Sequence, residues 1–191
     1  MGREFELKYA ATAADLEKIK LRYPQLAPIA METTYYDTPD GRLGELHWTL
    51  RRRMENGISV CTFKKPLEDG SRGEWEVQCE GIMQAVMQLC QAGAPWELMR
   101  TTAGGLIRTC GARFTRLAAT LELPECTVEL ALDQGVLLGA NKEQPFAEVE
   151  VELKAGSEAA AVAFAQKLAK EYDLVSEPRS KFVRAMTLAM Q

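Results

Sequence analysis

A chain of 191 residues, 47% hydrophobic and 26% charged, is expected to form one globular domain over residues 1–191. Its net charge of −4, with no basic stripe interleaved with aromatics, argues against nucleic acid as a partner. No apolar run approaches the roughly 18 residues that span a bilayer, no signal sequence precedes the first charged strand, and five cysteines without a CxxC pair fit reduced thiols, so a cytoplasmic protein with no membrane partner is expected.

The first element is a strand, Glu4-Phe5-Glu6-Leu7-Lys8, with Glu4, Glu6 and Lys8 on one face and Phe5, Leu7 and Tyr9 on the other. Thr12 to Arg22 reads as a helix, with Thr12 as N-cap and Leu16, Ile19 and Tyr23 along one stripe. Thr49, Arg51 and Arg53 alternate with Leu50, Arg52 and Met54; Val60, Thr62 and Lys64 alternate less cleanly with Ser59, Cys61 and Phe63. Arg72, Glu74, Glu76, Gln78 and Glu80 alternate with Trp75, Val77 and Cys79. Ile82 to Ile107 reads as mainly helical, interrupted by Gly93, Pro95, Gly104 and Gly105. Arg116, Ala118, Thr120 and Glu122 then share a face, as do Thr127, Glu129, Ala131 and Asp133, with a turn expected at Asp133-Gln134-Gly135. Glu148, Glu150, Glu152 and Lys154 oppose Ala147, Val149, Val151 and Leu153, echoing the first strand. Ser157 caps a helix to Tyr172 that aligns Ala161, Phe164, Ala165 and Leu168.

One such strand is an ordinary wet face of an antiparallel sheet. Repetition along the chain, with amphipathic helices able to cover the apolar side, points instead to an α+β fold: a β-barrel with a charged lumen and helices packed outside. Carboxylates aligned on one strand repel unless hydrated or bridged by cations, and such hard oxygen ligands suit Mg²⁺ or Mn²⁺. His47 is the sole histidine, which leaves no triad and no histidine metal cluster, and neither GxxxxGK nor GxGxxG occurs. Any phosphate must therefore be bound by side chains. Tyr35 and Tyr36 read as strand-end packing, and no aromatic shelf for a base is evident on the charged faces.

In order along the chain stand Glu4-Phe5-Glu6-Leu7-Lys8, Tyr35-Tyr36-Asp37-Thr38, Leu50-Arg51-Arg52-Arg53, Thr62-Phe63-Lys64, Arg72-Gly73-Glu74, Glu129-Leu130-Ala131-Leu132-Asp133, Glu148-Val149-Glu150-Val151-Glu152 and Ser180-Lys181. This series resembles the CYTH family, the triphosphate tunnel metalloenzymes, and among them the bacterial inorganic triphosphatases. The resemblance implies a closed eight-stranded antiparallel tunnel and a Mg²⁺- or Mn²⁺-dependent enzyme that cleaves a small triphosphate, inorganic triphosphate first, into phosphate and diphosphate. Thiamine triphosphatase and class IV adenylate cyclase are the alternatives within the family, and a non-catalytic polyphosphate- or nucleotide-binding module is the alternative outside it. Carried over by position, Glu4, Glu6 and Lys8 take part in catalysis; Lys8, Arg51, Arg53, Lys64, Arg116 and Lys181 hold phosphates; Glu4, Glu6, Glu148, Glu150 and Glu152 hold metal. Spacing alone does not decide whether Glu74, Glu76, Glu122 or Glu129 reach the metal, and Arg116 is preferred to Arg113 because Thr120 and Glu122 share its face. The family's apolar residue between two arginines is Arg52 here, which by parity faces away from them.

Overall fold

Ten antiparallel strands form one sheet in the order β1-β6-β5-β4-β3-β7-β8-β9-β2-β10 in the computed structural model, which describes residues 2–3, 5–68 and 72–191, with the backbone alone at 2 and 3. The strands are β1 (Gly2–Arg3), β2 (Glu6–Ala10), β3 (Ala27–Asp37), β4 (Thr49–Glu55), β5 (Ile58–Pro66), β6 (Arg72–Gln78), β7 (Ile107–Glu122), β8 (Cys126–Gly139), β9 (Lys142–Gly156) and β10 (Val175–Ser176). The helices are α1 (Ala13–Arg22), α2 (Arg42–Glu45), α3 (Ile82–Gln91), α4 (Glu97–Thr102), α5 (Glu158–Glu171) and α6 (Lys181–Met190). The strand count thus differs from the expected eight because two strands of two residues flank eight of five or more. The order is linear, so closure is not part of the observed pairing. The N-terminal segment nevertheless serves both flanks: Gly2 and Arg3 pair with Glu74 and Gly73 of β6, while Glu6 to Ala10 pair with β9.

Local chemistry sets the element ends. Thr12 and Asp15 form a reciprocal capping box at α1, and Ser157 and Ser180 cap α5 and α6 through their hydroxyls. In the Tyr35-Tyr36-Asp37-Thr38 motif the Asp37 carboxylate accepts from the backbone N–H groups of Thr38, Leu43 and Gly44, so this part of the motif organises a turn. The turn expected at Asp133-Gln134-Gly135 is instead the middle of β8. Gly135 is needed there for close approach, since a Cβ would stand 2.2 Å from the Arg113 carbonyl oxygen.

Strand alternation divides the molecule. Leu130, Leu132, Val149 and Val151 meet α1 and α5 through Leu16, Ile19, Ala161, Ala165 and Leu168. Leu50, Phe63 and Trp75 meet α2, α3 and α4 through Leu43, Val86, Leu89 and Leu98. Each fully buried Leu or Phe of these layers contributes about 1.5–3 kcal/mol. Helix α6 departs from the expectation of helices on the apolar side only. Its Ala185 and Leu188 pack on Tyr35, Ala112, Phe114, Leu137 and Phe146, which by alternation share the face of Arg116, Asp133 and Glu148. Among the described residues no helix is long and apolar enough to cross a membrane.

Candidate active site

The charged strand faces surround a cavity of about 750 Å³. Glu6 and Lys8 enter it from β2, Arg51 and Arg53 from β4, Lys64 from β5, Arg116 from β7, Glu150 and Glu152 from β9, and Lys181 from the start of α6. Glu74 and Glu76 of β6 line it as well. Glu4 lies outside the described residues. Arg52 points the other way, donating to the Ser59 hydroxyl and to Glu80, both at 2.8 Å. Arg113 likewise turns outward to Glu143 at 3.1 Å.

Two groups of carboxylates behave differently. Glu6, Glu152 and Glu129 form one row, because Glu152 is directly opposite Glu6 across β2–β9 and opposite Glu129 across β8–β9. Like charges opposed in this way destabilise a sheet unless cations intervene. The side chains stay about a quarter exposed, at 27%, 26% and 28%, and nearby cations are spread among them: Lys154 lies 2.8 Å from Glu152 and 3.9 Å from Glu129, and Lys8 lies 3.8 Å from Glu6. Carboxylate oxygens are the ligands a hard divalent cation takes, but among the described residues these three do not converge to within 4.8 Å of one another. Glu122 stands apart, accepting from the Thr127 hydroxyl at 2.7 Å.

The second group, Asp133, Glu148 and Glu150, is buried, with ligand atoms within 4.8 Å of one another. Side-chain cations already fill it. The Lys181 ammonium contacts all three, at 2.7 Å from Asp133 and 2.8 Å from Glu150, and Arg184 closes on the other side of Glu148. Arg116 donates to both Asp133 oxygens at 2.8 and 2.7 Å and also contacts Glu150. Glu148 therefore does not line the cavity as expected of a metal ligand: it is fully buried, with Lys181 and Arg184 on its carboxylate. Sequence places Asp133 and Lys154 on charged strand faces without giving them a site role, and it gives no signal for Arg184. Parity puts Asp133 in line with Glu129, and Arg184 follows Lys181 by one helical turn, but neither spacing names a partner.

These contacts set the protonation states. Burial raises the Glu148 carboxyl, and Glu150 adds to this against the opposing pull of Lys181 and Arg184. For Glu150, burial is the largest influence and acts upward, yet Lys181 and Arg116 together hold the carboxyl well below its ordinary range. Burial also pulls the Lys181 ammonium down, but Glu150, Asp133 and Glu148 outweigh it and keep the group firmly protonated. Arg53 has looser partners, Thr33 at 3.0 Å and Glu55 at 3.7 Å; burial and the neighbouring Arg51 lower its guanidinium to about 10. The Arg51 Nε is buried with no hydrogen-bond partner, and the Arg51 Nη2 lies 4.0 Å from the Glu74 carboxylate.

Three aromatic residues, Tyr35, Trp75 and Phe182, also line the cavity, contrary to the expectation from the strand faces. They are already engaged with other rings. Tyr35 lies 5.0 Å from Phe182 and Trp75 stacks on Phe63 at 5.7 Å, centroid to centroid.

The model for the CYTH domain matches residues 2–186 of this chain. An inorganic triphosphatase of Haemophilus influenzae is 26% identical over 98% of the chain, which spans 55% of that protein's length. Among solved structures, the adenylyl-cyclase-like HpAC1 of Hippeastrum, in which triphosphatase activity is dominant, superposes with a TM-score of 0.66 at 18% identity, covering 96% of this chain and 95% of its own. A protein of Pyrococcus horikoshii gives a TM-score of 0.61 at 21% identity over 98% and 99% of the two chains.

Proposed function

This chain belongs to the CYTH family, and we propose that it is a metal-dependent hydrolase of small triphosphates, inorganic triphosphate above thiamine triphosphate or ATP, acting as one domain over residues 1–191. The observation that carries the reading is the charge pattern of one cavity: basic side chains from β4 and β5 stand with carboxylates from β2 and β9. A site for anions alone has no use for those carboxylates, and a site for metal alone has no use for Arg51, Arg53 and Lys64. The pairing of the N-terminal segment to both β6 and β9 supports a tunnel around the substrate.

Arg51 and Arg53 supply planar N–H forks for phosphate oxygens. Lys8 from β2 and Lys64 from β5 add point charges, while Arg116 and Lys181 line the cavity from within the buried ion-paired cluster. Glu6 and Glu152 are the described residues that would hold Mg²⁺ or Mn²⁺, with Glu150 beside them on β9; Glu4, expected from the sequence to share this role, lies outside the described residues. Bound there, the ion supplies neutralisation of phosphate oxygens and a more acidic water. Glu6 and Glu152 also orient the water for in-line attack on a terminal phosphorus, and the basic side chains hold the diphosphate as it leaves. The engaged aromatic rings leave no open shelf for a base, which favours the inorganic substrate.

Phosphate release from inorganic triphosphate, thiamine triphosphate and ATP with Mg²⁺, with Mn²⁺ and without metal tests the proposal. The expected result is highest kcat/KM for inorganic triphosphate, dependence on metal, and no cyclic AMP by chromatography. A preference for ATP or accumulating cyclic AMP would overturn the substrate assignment; tight binding without turnover would make the chain a binding module.

A further inference from the structure

Arg72 is a cation of the cavity wall to which the triphosphate reading gives no role. It opens β6 opposite Pro66, the last residue of β5, so it stands at the rim of the sheet on the face of Glu74 and Glu76. Its Nη2 reaches only neutral oxygens, at the long limit of hydrogen bonding: the His47 carbonyl at 3.5 Å and the Thr49 hydroxyl at 3.4 Å. Among the described residues, every other lysine or arginine lining this cavity has a carboxylate within 4.0 Å, the weakest case being Arg51 and Glu74. Arg72 has none. A guanidinium carries five donors, and most of this one's are uncommitted at the edge of an anion-binding cavity.

We propose, resting on the triphosphate reading, that Arg72 and Thr49 form an outer subsite that binds the phosphate nearest the rim. Such a subsite counts phosphates: triphosphate reaches it, whereas the diphosphate product, held deeper by Arg51, Arg53 and Lys64, does not. Arg72 is then a specificity-determining contact that also lets the product leave.

Steady-state kinetics of Arg72→Ala, Arg72→Lys and, as a charge-matched control on an outward-facing residue, Arg113→Ala tests this. Arg72→Ala should raise KM for inorganic triphosphate about tenfold, with kcat changed less than about threefold and the inhibition constant of diphosphate less than about twofold. Arg72→Lys should fall between, and Arg113→Ala should match the wild type. An unchanged KM, or KM and the diphosphate constant rising together, overturns the outer subsite. If the wild type turns over no triphosphate, that failure belongs to the hydrolase reading, and calorimetric titration with inorganic triphosphate and diphosphate makes the same comparison. Equal triphosphate affinity in wild type and Arg72→Ala, or none in the wild type, then overturns the inference.

Discussion

Parity along β4 makes the most discriminating claim about single residues. Arg51 and Arg53 face the cavity and Arg52 faces Glu80, so Arg51→Ala and Arg53→Ala should each weaken inorganic triphosphate binding about tenfold or more, the scale of a lost charge-assisted hydrogen bond. Arg52→Ala removes a half-exposed pair of about 0–1 kcal/mol and should leave affinity within about twofold. Titration calorimetry on the three variants checks this, and equal losses would contradict the facing of β4. Lys181 makes a claim about pH. Its ammonium compensates Asp133, Glu148 and Glu150, so Lys181→Met should cost about 3–5 kcal/mol near neutral pH, the usual penalty for stranding a buried charge. Without it the Glu148 carboxyl, already raised by burial, rises further, so the folded variant binds more protons between pH 8 and pH 5.5 than the unfolded chain. Its stability therefore rises as pH falls, and the deficit against wild type should narrow between pH 8 and pH 5.5. Urea midpoints at the two pH values measure the difference; a constant deficit would mean the three carboxylates do not depend on Lys181.

Helix α6 shows how an element can carry chemistry through its docking. Its apolar residues lie on Tyr35, Phe114 and Leu137, its first turn delivers Lys181 to the carboxylates, and Arg184 secures the next turn on Glu148. The contact is close because β8 presents Gly139, where a Cβ would meet the Ala189 nitrogen at 2.6 Å and the Ala185 oxygen at 2.7 Å. Gly139→Ala must therefore push backbone away from backbone. A cost of about 1–3 kcal/mol is expected, together with a fall in triphosphate affinity as Lys181 shifts, although residue 139 touches no part of the cavity. Thermal melting and calorimetry on this variant read both effects, and loss of stability with unchanged affinity would show that α6 does not position Lys181.

At the scale of the whole molecule, one sheet separates a charged interior face from two apolar layers under helices, and all five cysteines are buried. Burial pushes the Cys61 and Cys110 thiols up to about 11, and thiol reagents attack the thiolate. Native protein at pH 7.5 should thus react far more slowly than urea-unfolded protein, which should take up five equivalents; fast labelling of the native state would contradict the layered packing. The same layering explains how much was legible beforehand. Alternation of side chains is a property of the strand itself, so Arg51, Arg53, Lys64 and Glu152 could be assigned to one face, and Thr12 and Ser157 to helix starts, from their neighbours in sequence. Partners are a different matter, because they depend on which strands lie side by side and in what register. Asp133, Glu148 and Lys181 lie up to 48 residues apart, and only the packing of β8, β9 and α6 makes them one neutralised cluster. Glu148 and Glu152 have the same parity, and each stands between two apolar residues of the chain. The tertiary structure alone buries the first under Lys181 and Arg184 and leaves the second in the cavity, since desolvation and ion pairing are set by what lies opposite a side chain.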